Sequence, residues 1–133
     1  MTPFGRRVRD HRAQRGITLA QMAGVLGVTP AYLSALEHGK RGRPTFTLIQ
    51  GVIHVLGVIW DEADELVRLA DLSHPRVTVD TAGLEPGATL LANRLAREIA
   101  ALEPDELKRL GLVLDEAAAR RAAAGESLAG KPA

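Results

Sequence analysis

The sequence predicts an all-α protein, with a five-helix unit over residues 1–72, a connector over 73–87 and a helical hairpin over 88–124. Apolar residues recur at spacings of three and four through most of the chain, the period of a helix with one buried face. Glycine and proline fall mainly at the edges of these periodic stretches, where helices start and stop. Apolar residues make up 46% of the 133 positions, yet Phe4, Tyr32, Phe46 and Trp60 are the only aromatics. A core of Leu, Val and Ala suits helices, and the length suits one domain or one with a small annex.

The first helix begins with Thr2 as cap and Pro3 in its first turn, and it ends at Gly16. Phe4, Val8 and His11 give its inner face, and Arg6, Arg9 and the other arginines face outward. Thr18 caps the second helix, with Gln21 three residues on completing a capping box. Ala20, Met22, Ala23 and Leu26 supply its apolar stripe. Gly27 stops it in a left-handed conformation that glycine adopts without steric cost, and Val28 plugs the turn. Thr29 caps the third helix and Pro30 takes its first position, where a missing N–H does no harm. Leu33 and Leu36 point inward and Gly39 ends the helix. Helix, short glycine turn and helix make a helix-turn-helix pattern.

Pro44 prevents the third helix from resuming. The fourth runs from about Thr45 to Leu56, with Leu48, Ile49, Val52, Ile53 and Leu56 at helical spacing and Gly57 as its stop. Gly51 lies mid-helix, as Gly24 does in the second helix; close approach of another backbone would justify both. The fifth begins near Asp61 and carries Leu66, Leu69 and Ala70. Asp61, Glu62, Asp64 and Glu65 sit in its first turns, where acidic groups meet the positive helix end.

Residues 4–57 resemble the Cro/phage-repressor type of helix-turn-helix, the Xre family of bacterial and phage regulators. The run from Tyr32 to Pro44 (YLSALEHGKRGRP) carries the resemblance, together with Gln21, Ala23, Gly27 and Val28. The likeness implies a five-helix lambda-repressor-like domain that docks its third helix in the major groove of double-stranded DNA, usually as a two-fold dimer. It further implies base contacts from Thr29, Pro30, Ala31, Ser34 and Ala35. Phosphate oxygens are held by Arg, Lys and helix N-termini, so Lys40, Arg41 and Arg43, and the start of the second helix at Thr18 and Gln21, are the expected phosphate contacts. Tyr32 matches a position that often presents a polar or aromatic group to DNA. Pro30 and Ala31 depart from the amides common in phage repressors and offer thymine methyl groups only apolar contact. DNA shape, or Arg41 or Arg43 in a minor groove, then carries more of the specificity. Leu19 replaces a polar residue of some relatives, which removes one phosphate contact. On family grounds a repressor is expected rather than an activator.

Charge supports this reading independently. Residues 1–43 hold eight basic residues against Asp10 and Glu37, whereas residues 44–133 hold nine basic and fourteen acidic. A chain of net charge +1 is therefore dipolar, with its positive end on the helix-turn-helix. Such clustering marks a phosphate-binding face, to which Arg9 and Arg12 are candidates to contribute.

Two prolines and two glycines mark residues 73–87 as a connector, in which Val77, Thr78 and Val79 suit one short strand needing a partner. Beyond it, Leu91, Leu95, Ile99 and Leu102 line one helix over about 88–102. Leu107, Leu110, Leu114 and Ala117 line a second over about 104–124, where Leu112 and Val113 widen the face. Two helices cannot bury such stripes alone. Either they pack back on the first unit or they meet their copies across a two-fold axis; self-association is favoured, because a dimeric reader needs an interface and the connector sets the hairpin apart. Residues 125–133 are expected to be a disordered tail.

Without cysteine there is no disulfide framework, thiolate chemistry or cysteine-ligated zinc. His11, His38, His54 and His74 lie at no metal-ligand spacing, and neither a phosphate loop nor a nucleophile motif appears. No enzyme, cofactor or metal is expected. No signal pattern or membrane-spanning apolar run appears, so a cytoplasmic protein without membrane association is expected. The rival readings are binding roles. An antitoxin-type protein would repress its own operon and grip a toxin through the C-terminal region; a further variant would use the same fold for protein contact alone.

Overall fold

The computed structural model describes residues 1–125, so the tail expected at 125–133 lies almost wholly outside the described residues. The seven α-helices are α1 (Pro3–Arg15), α2 (Leu19–Leu26), α3 (Pro30–Glu37), α4 (Phe46–Leu56), α5 (Trp60–Asp71), α6 (Pro86–Glu98) and α7 (Pro104–Ala123). A 3-10 turn, Ile99–Ala101, follows α6. The all-α class and the five-helix N-terminal arrangement are as the sequence predicts.

Caps set most of the boundaries. The hydroxyls of Thr2, Thr18, Thr29 and Thr45 accept from the backbone N–H groups of Gly5, Gln21, Tyr32 and Leu48, each satisfying one orphan donor of the helix it opens. α1, α2 and α4 end on left-handed Gly16, Gly27 and Gly57. α5 has no such device: Ile59 offers no side-chain cap, and Trp60, not Asp61, opens the helix at φ 54 with its ring 80% exposed. A left-handed bulky residue costs on the order of 1–3 kcal/mol, and no contact within the domain explains it.

The chain divides into two compact units, Met1–Val77 and Thr78–Ala133. In the first, Phe4, Val8, Met22, Ala23, Leu33, Leu36, Ile49, Val52, Leu56, Val58, Leu66 and Ala70 form one core. Burying a side chain such as Leu33 contributes about 1.5–3 kcal/mol. Within α2 the phase differs from the expected stripe: Ala20 is exposed, and Leu19 packs against the core ahead of Met22, Ala23 and Leu26. Positions 19, 22, 23 and 26 are the set that one face of a helix brings together.

The glycines also sort differently. A Cβ on Gly24 would meet nothing within 4 Å, and one on Gly51 would meet the side chain of Leu26 rather than a backbone. The close backbone approach is at Gly5, where a Cβ would sit 2.1 Å from the Glu37 carbonyl oxygen.

The first unit runs five residues beyond the expected boundary, since Ser73 is buried and bridges two helices. Its hydroxyl accepts from the Phe4 N–H at 3.0 Å and donates to the Leu69 carbonyl at 2.5 Å. No strand forms at Val77–Val79 among the described residues: this stretch has no regular structure, and Val77 and Val79 are exposed. In the second unit α6 starts at Pro86, two residues earlier than expected, and no residue of α6 or α7 is buried. Leu91, Ile99, Leu107, Leu110 and Leu114 are 40–71% exposed, while Leu95 and Leu102 are half-buried.

His11 is fully buried between α1 and α5, 3.6 Å from the Glu62 carboxylate and within hydrogen-bond distance of the Arg15 guanidinium. Burial first, then Arg7 and Arg15, lower its pKa below the ordinary 6.5, against the pull of Glu62. The unfolded chain therefore binds this proton more readily, so its contribution is complete above pH 6.5 and is lost as pH falls below that value. The melting temperature of the wild type is expected to fall between about pH 7.5 and 5, and His11→Gln is expected to flatten that profile. Parallel profiles for the two proteins would remove His11 as the cause.

Candidate nucleic-acid interface

α2 and α3 meet at 108°, within the range of helix-turn-helix pairs. Gly27, at φ 73, turns the chain between them, and the Val28 N–H closes the turn on the Ala23 carbonyl at 3.0 Å. Leu33, Leu36 and Glu37 are buried, which fixes the rotation of α3. The opposite stripe is Ala31, Ser34, Ala35 and His38, at the i, i+3, i+4 and i+7 spacing of one helix face. Ala31 and His38 are exposed, and Ser34 and Ala35 are half-buried. Thr29 and Pro30 sit exposed at the helix start, and Tyr32 is half-buried.

His38 is the member of this face that sequence reasoning missed, although its position seven residues after Ala31 already places it there. Its Nδ1 lies 2.8 Å from the Ser34 carbonyl. A carbonyl only accepts, so Nδ1 carries the hydrogen and Nε2 is left at the exposed end of the ring.

At the start of α2, Thr18 and Gln21 close a reciprocal box: Gln21 N–H donates to Thr18 Oγ1 at 3.1 Å, and Thr18 N–H to Gln21 Oε1 at 2.9 Å. Both side chains are thus locked with their donor groups unspent, beside the free N–H groups of the first turn. That is the chemistry of an anion site at a helix N-terminus. Thr29 is locked in the same way by the Tyr32 N–H, leaving its hydroxyl hydrogen for an outside partner.

The basic residues divide in two. Arg7 donates to Glu65 at 2.6 Å, and Arg15 to the Leu56 carbonyl at 2.7 Å. Arg12 is not an outward-facing arginine: it is 9% exposed, with one guanidinium nitrogen 3.2 Å from both Glu37 oxygens. Burial pushes the Glu37 carboxyl above its ordinary value, with the Arg12 guanidinium working against it. The loop after α3 is mixed. Lys40 and Arg41 are exposed and make no ion pair among the described residues, whereas Arg43 is paired with Asp71. Arg41 lies over the Tyr32 ring, 5.3 Å from its centroid, a cation–π contact. On α1, Arg6 and Arg9 are exposed and likewise without an ion pair among the described residues.

The first turn of α1 anchors the last turn of α3. Thr2 N–H donates to the Glu37 carbonyl at 3.0 Å, and Gly5 lies flat against the same peptide. Arg12 reaches that residue's carboxylate from two turns further along. α3 is held by its buried end, and Ala31 and His38 of its outer stripe are left to solvent.

This geometry agrees with the comparisons with known proteins. A family model described as a helix-turn-helix domain matches residues 3–72, more than half of the chain, and the protein belongs to that family. Over 61 residues, 46% of this chain, it is 38% identical to the uncharacterized HTH-type transcriptional regulator RghRB of Bacillus subtilis and 34% identical to that organism's HTH-type transcriptional repressor RghR. These matches span 44% and 45% of the two relatives. Over 56 residues, 42% of this chain and 28% of the relative, the protein is also 38% identical to the (S)-2-hydroxypropylphosphonic acid epoxidase of Streptomyces wedmorensis. The chain thus matches less than half the length of each of these relatives. No solved structure matches.

No cluster of three His, Asp or Glu side chains suited to a metal ion occurs among the described residues, and none of their helices is by itself long and apolar enough to cross a membrane.

Proposed function

We propose that this protein is a transcriptional regulator that binds double-stranded DNA with α3 in the major groove, acts as a homodimer and represses its targets. The observation that carries this reading is the outer stripe of α3, which the core leaves unused, on a domain whose Arg6, Arg9, Lys40 and Arg41 make no ion pair among the described residues. Ala31, Ser34, Ala35 and His38 face the bases, with Thr29, Pro30 and Tyr32 at the near end. Lys40, Arg41, Arg6 and Arg9 flank them as phosphate contacts, and the start of α2 at Thr18 and Gln21 supplies backbone and side-chain donors. Arg43 joins the phosphate set by exchanging Asp71 for DNA. Weak direct readout follows from Pro30 and Ala31, which offer no hydrogen-bond donor to a base edge. A regulator rather than an enzyme is favoured because the open chemistry of the domain is that of phosphate and base contact. The fold alone would not decide it, since a stretch of 56 residues is 38% identical to part of a protein named as an epoxidase.

The dimer reading rests on the second unit. A unit of this size with no buried side chain in either helix leaves its Leu, Ile and Val faces in water, and exposed apolar faces of this kind mark interfaces. Leu91, Leu95, Ile99 and Leu102 of α6 and Leu107, Leu110 and Leu114 of α7 are the residues proposed to meet their copies. The antitoxin-type alternative uses the same faces for a different protein.

Selection of bound fragments from the host's genomic DNA, followed by titration at several salt concentrations, tests the reading. It predicts a palindrome with half-sites about 10 bp apart, bound much less tightly at high salt. Recovery of unrelated fragments alone would leave the fold standing and remove specific regulation. The hairpin is tested by ending the chain after Val77, which preserves the Ser73 bridge. The shortened protein is expected to fold and to sediment as a monomer; a dimer of residues 1–77 would place the interface elsewhere.

A further inference from the structure

We infer that Asp71 is an internal competitor for DNA phosphate, holding the guanidinium of Arg43 in the free protein. The inference rests on the DNA-binding function proposed above. All three guanidinium nitrogens of Arg43 are committed within the domain. Nε donates to Asp71 Oδ1 at 3.1 Å, one terminal nitrogen makes a short contact to the same oxygen, and the other donates to the Pro44 carbonyl at 3.0 Å. Asp71 occupies the fork of Nε and one terminal nitrogen, so a phosphate gripping that fork in two bonds must displace the carboxylate.

The position of Asp71 has no explanation in helix stability. It is the last residue of α5, where the partial negative charge of the helix end favours a cation over a carboxylate. Its side chain is 59% exposed, so it fills no space in the core. What it faces is the loop that follows the recognition helix. The chain just beyond it is fixed against the same region: Ser73 is tied to the Phe4 N–H, and Pro75 lies beside Gly39 at the end of α3. The carboxylate is therefore held over the loop, not swept past it by a mobile segment.

An exposed pair of this kind is weak, with an effect equivalent to about a twofold to fivefold change in an equilibrium. Phosphate can displace it, and the displacement lowers affinity for any duplex by the strength of the pair. Asp71 thereby tempers binding that depends on backbone charge alone.

A double-mutant cycle on the full chain tests the exchange. Binding of a fluorescent 30-base-pair duplex of arbitrary sequence, about the span of three helical turns, is followed by anisotropy over a series of salt concentrations. The proteins compared are wild type, Asp71→Asn, Arg43→Ala and the double variant. Circular dichroism melting shows that each is folded, which is expected because both side chains reach solvent. Asp71→Asn is expected to bind about twofold to fivefold more tightly than wild type at low salt, with the gain fading as salt rises. Arg43→Ala is expected to bind more weakly, and the double variant to match it. If Asp71→Asn binds no better than wild type, the pair orders the loop for DNA and the inference fails. If the gain survives in the Arg43→Ala background, Asp71 acts through long-range repulsion alone and the inference again fails. A wild type that shows no salt-dependent binding to any duplex would instead bring down the DNA-binding reading itself, and the exchange with it.

Discussion

The buried pair of Arg12 and Glu37 is the contact on which the arrangement of α3 and its outer face depends. Glu37 is 4% exposed and lies in the last turn of an eight-residue helix whose outer side is open to solvent. Such a helix is too short to persist by its own hydrogen bonds. It must be held by tertiary contacts, and those contacts have to come from the side and end that face away from the ligand. Arg12 supplies one from α1, the Thr2 N–H a second, and Gly5 permits the two helices to approach until backbone touches backbone. The pair itself is weak grounds for net stability, because both charges are taken out of water, and Glu37 shows that cost in its raised pKa. Removing one partner is another matter: it strands the other charge, at about 3–5 kcal/mol. The pair thus acts chiefly to fix the orientation of α3.

The same economy explains the arginines of α1. Charge counting alone treats the eight basic residues of the first 43 as one phosphate-binding set. The structure commits Arg7, Arg12 and Arg15 to holding α1 against α5, α3 and the end of α4, and Arg43 to Asp71. Arg6, Arg9, Lys40 and Arg41 remain. The positive end of the chain is real, but a large part of it is structural, and the free cations lie on α1 and in the loop after α3.

Local chemistry made much of the fold legible in advance. Thr2, Thr18, Thr29 and Thr45 act as caps within three residues of their partners, and Gly16, Gly27 and Gly57 act where they stand. These are short-range rules, and they placed α1 to α4 closely. What escaped depends on distant partners. Arg12 and Glu37 are 25 residues apart, and Arg43 and Asp71 are 28 apart; neither member of either pair carries a local sign of the other. Nothing beside Gly5 in the chain marks its close approach either, because its neighbour across the gap lies on α3. In α2, an alanine and a leucine side by side left the helix phase open, and Leu19 rather than Ala20 turned out to face the core. The stretch at 77–79 had strand-forming residues but no strand partner among the described residues. Of the site, the α3 face was readable from the resemblance, whereas His38 was passed over because it was weighed as a metal ligand rather than by its place on the helix.

The central claim is that the fold clamps the far end of α3 in order to present its outer stripe, with the start of α2 and the loop after α3, to DNA. Mapping backbone amide shifts of the full chain by NMR during titration with a duplex tests this most directly. The account predicts the largest changes at Thr18–Gln21, Thr29–Ser34 and His38–Arg43, with little change along the buried face of α5 at Leu66 and Ala70. Changes centred on α5, or on α6 and α7, with α3 and its loop unmoved, would contradict it.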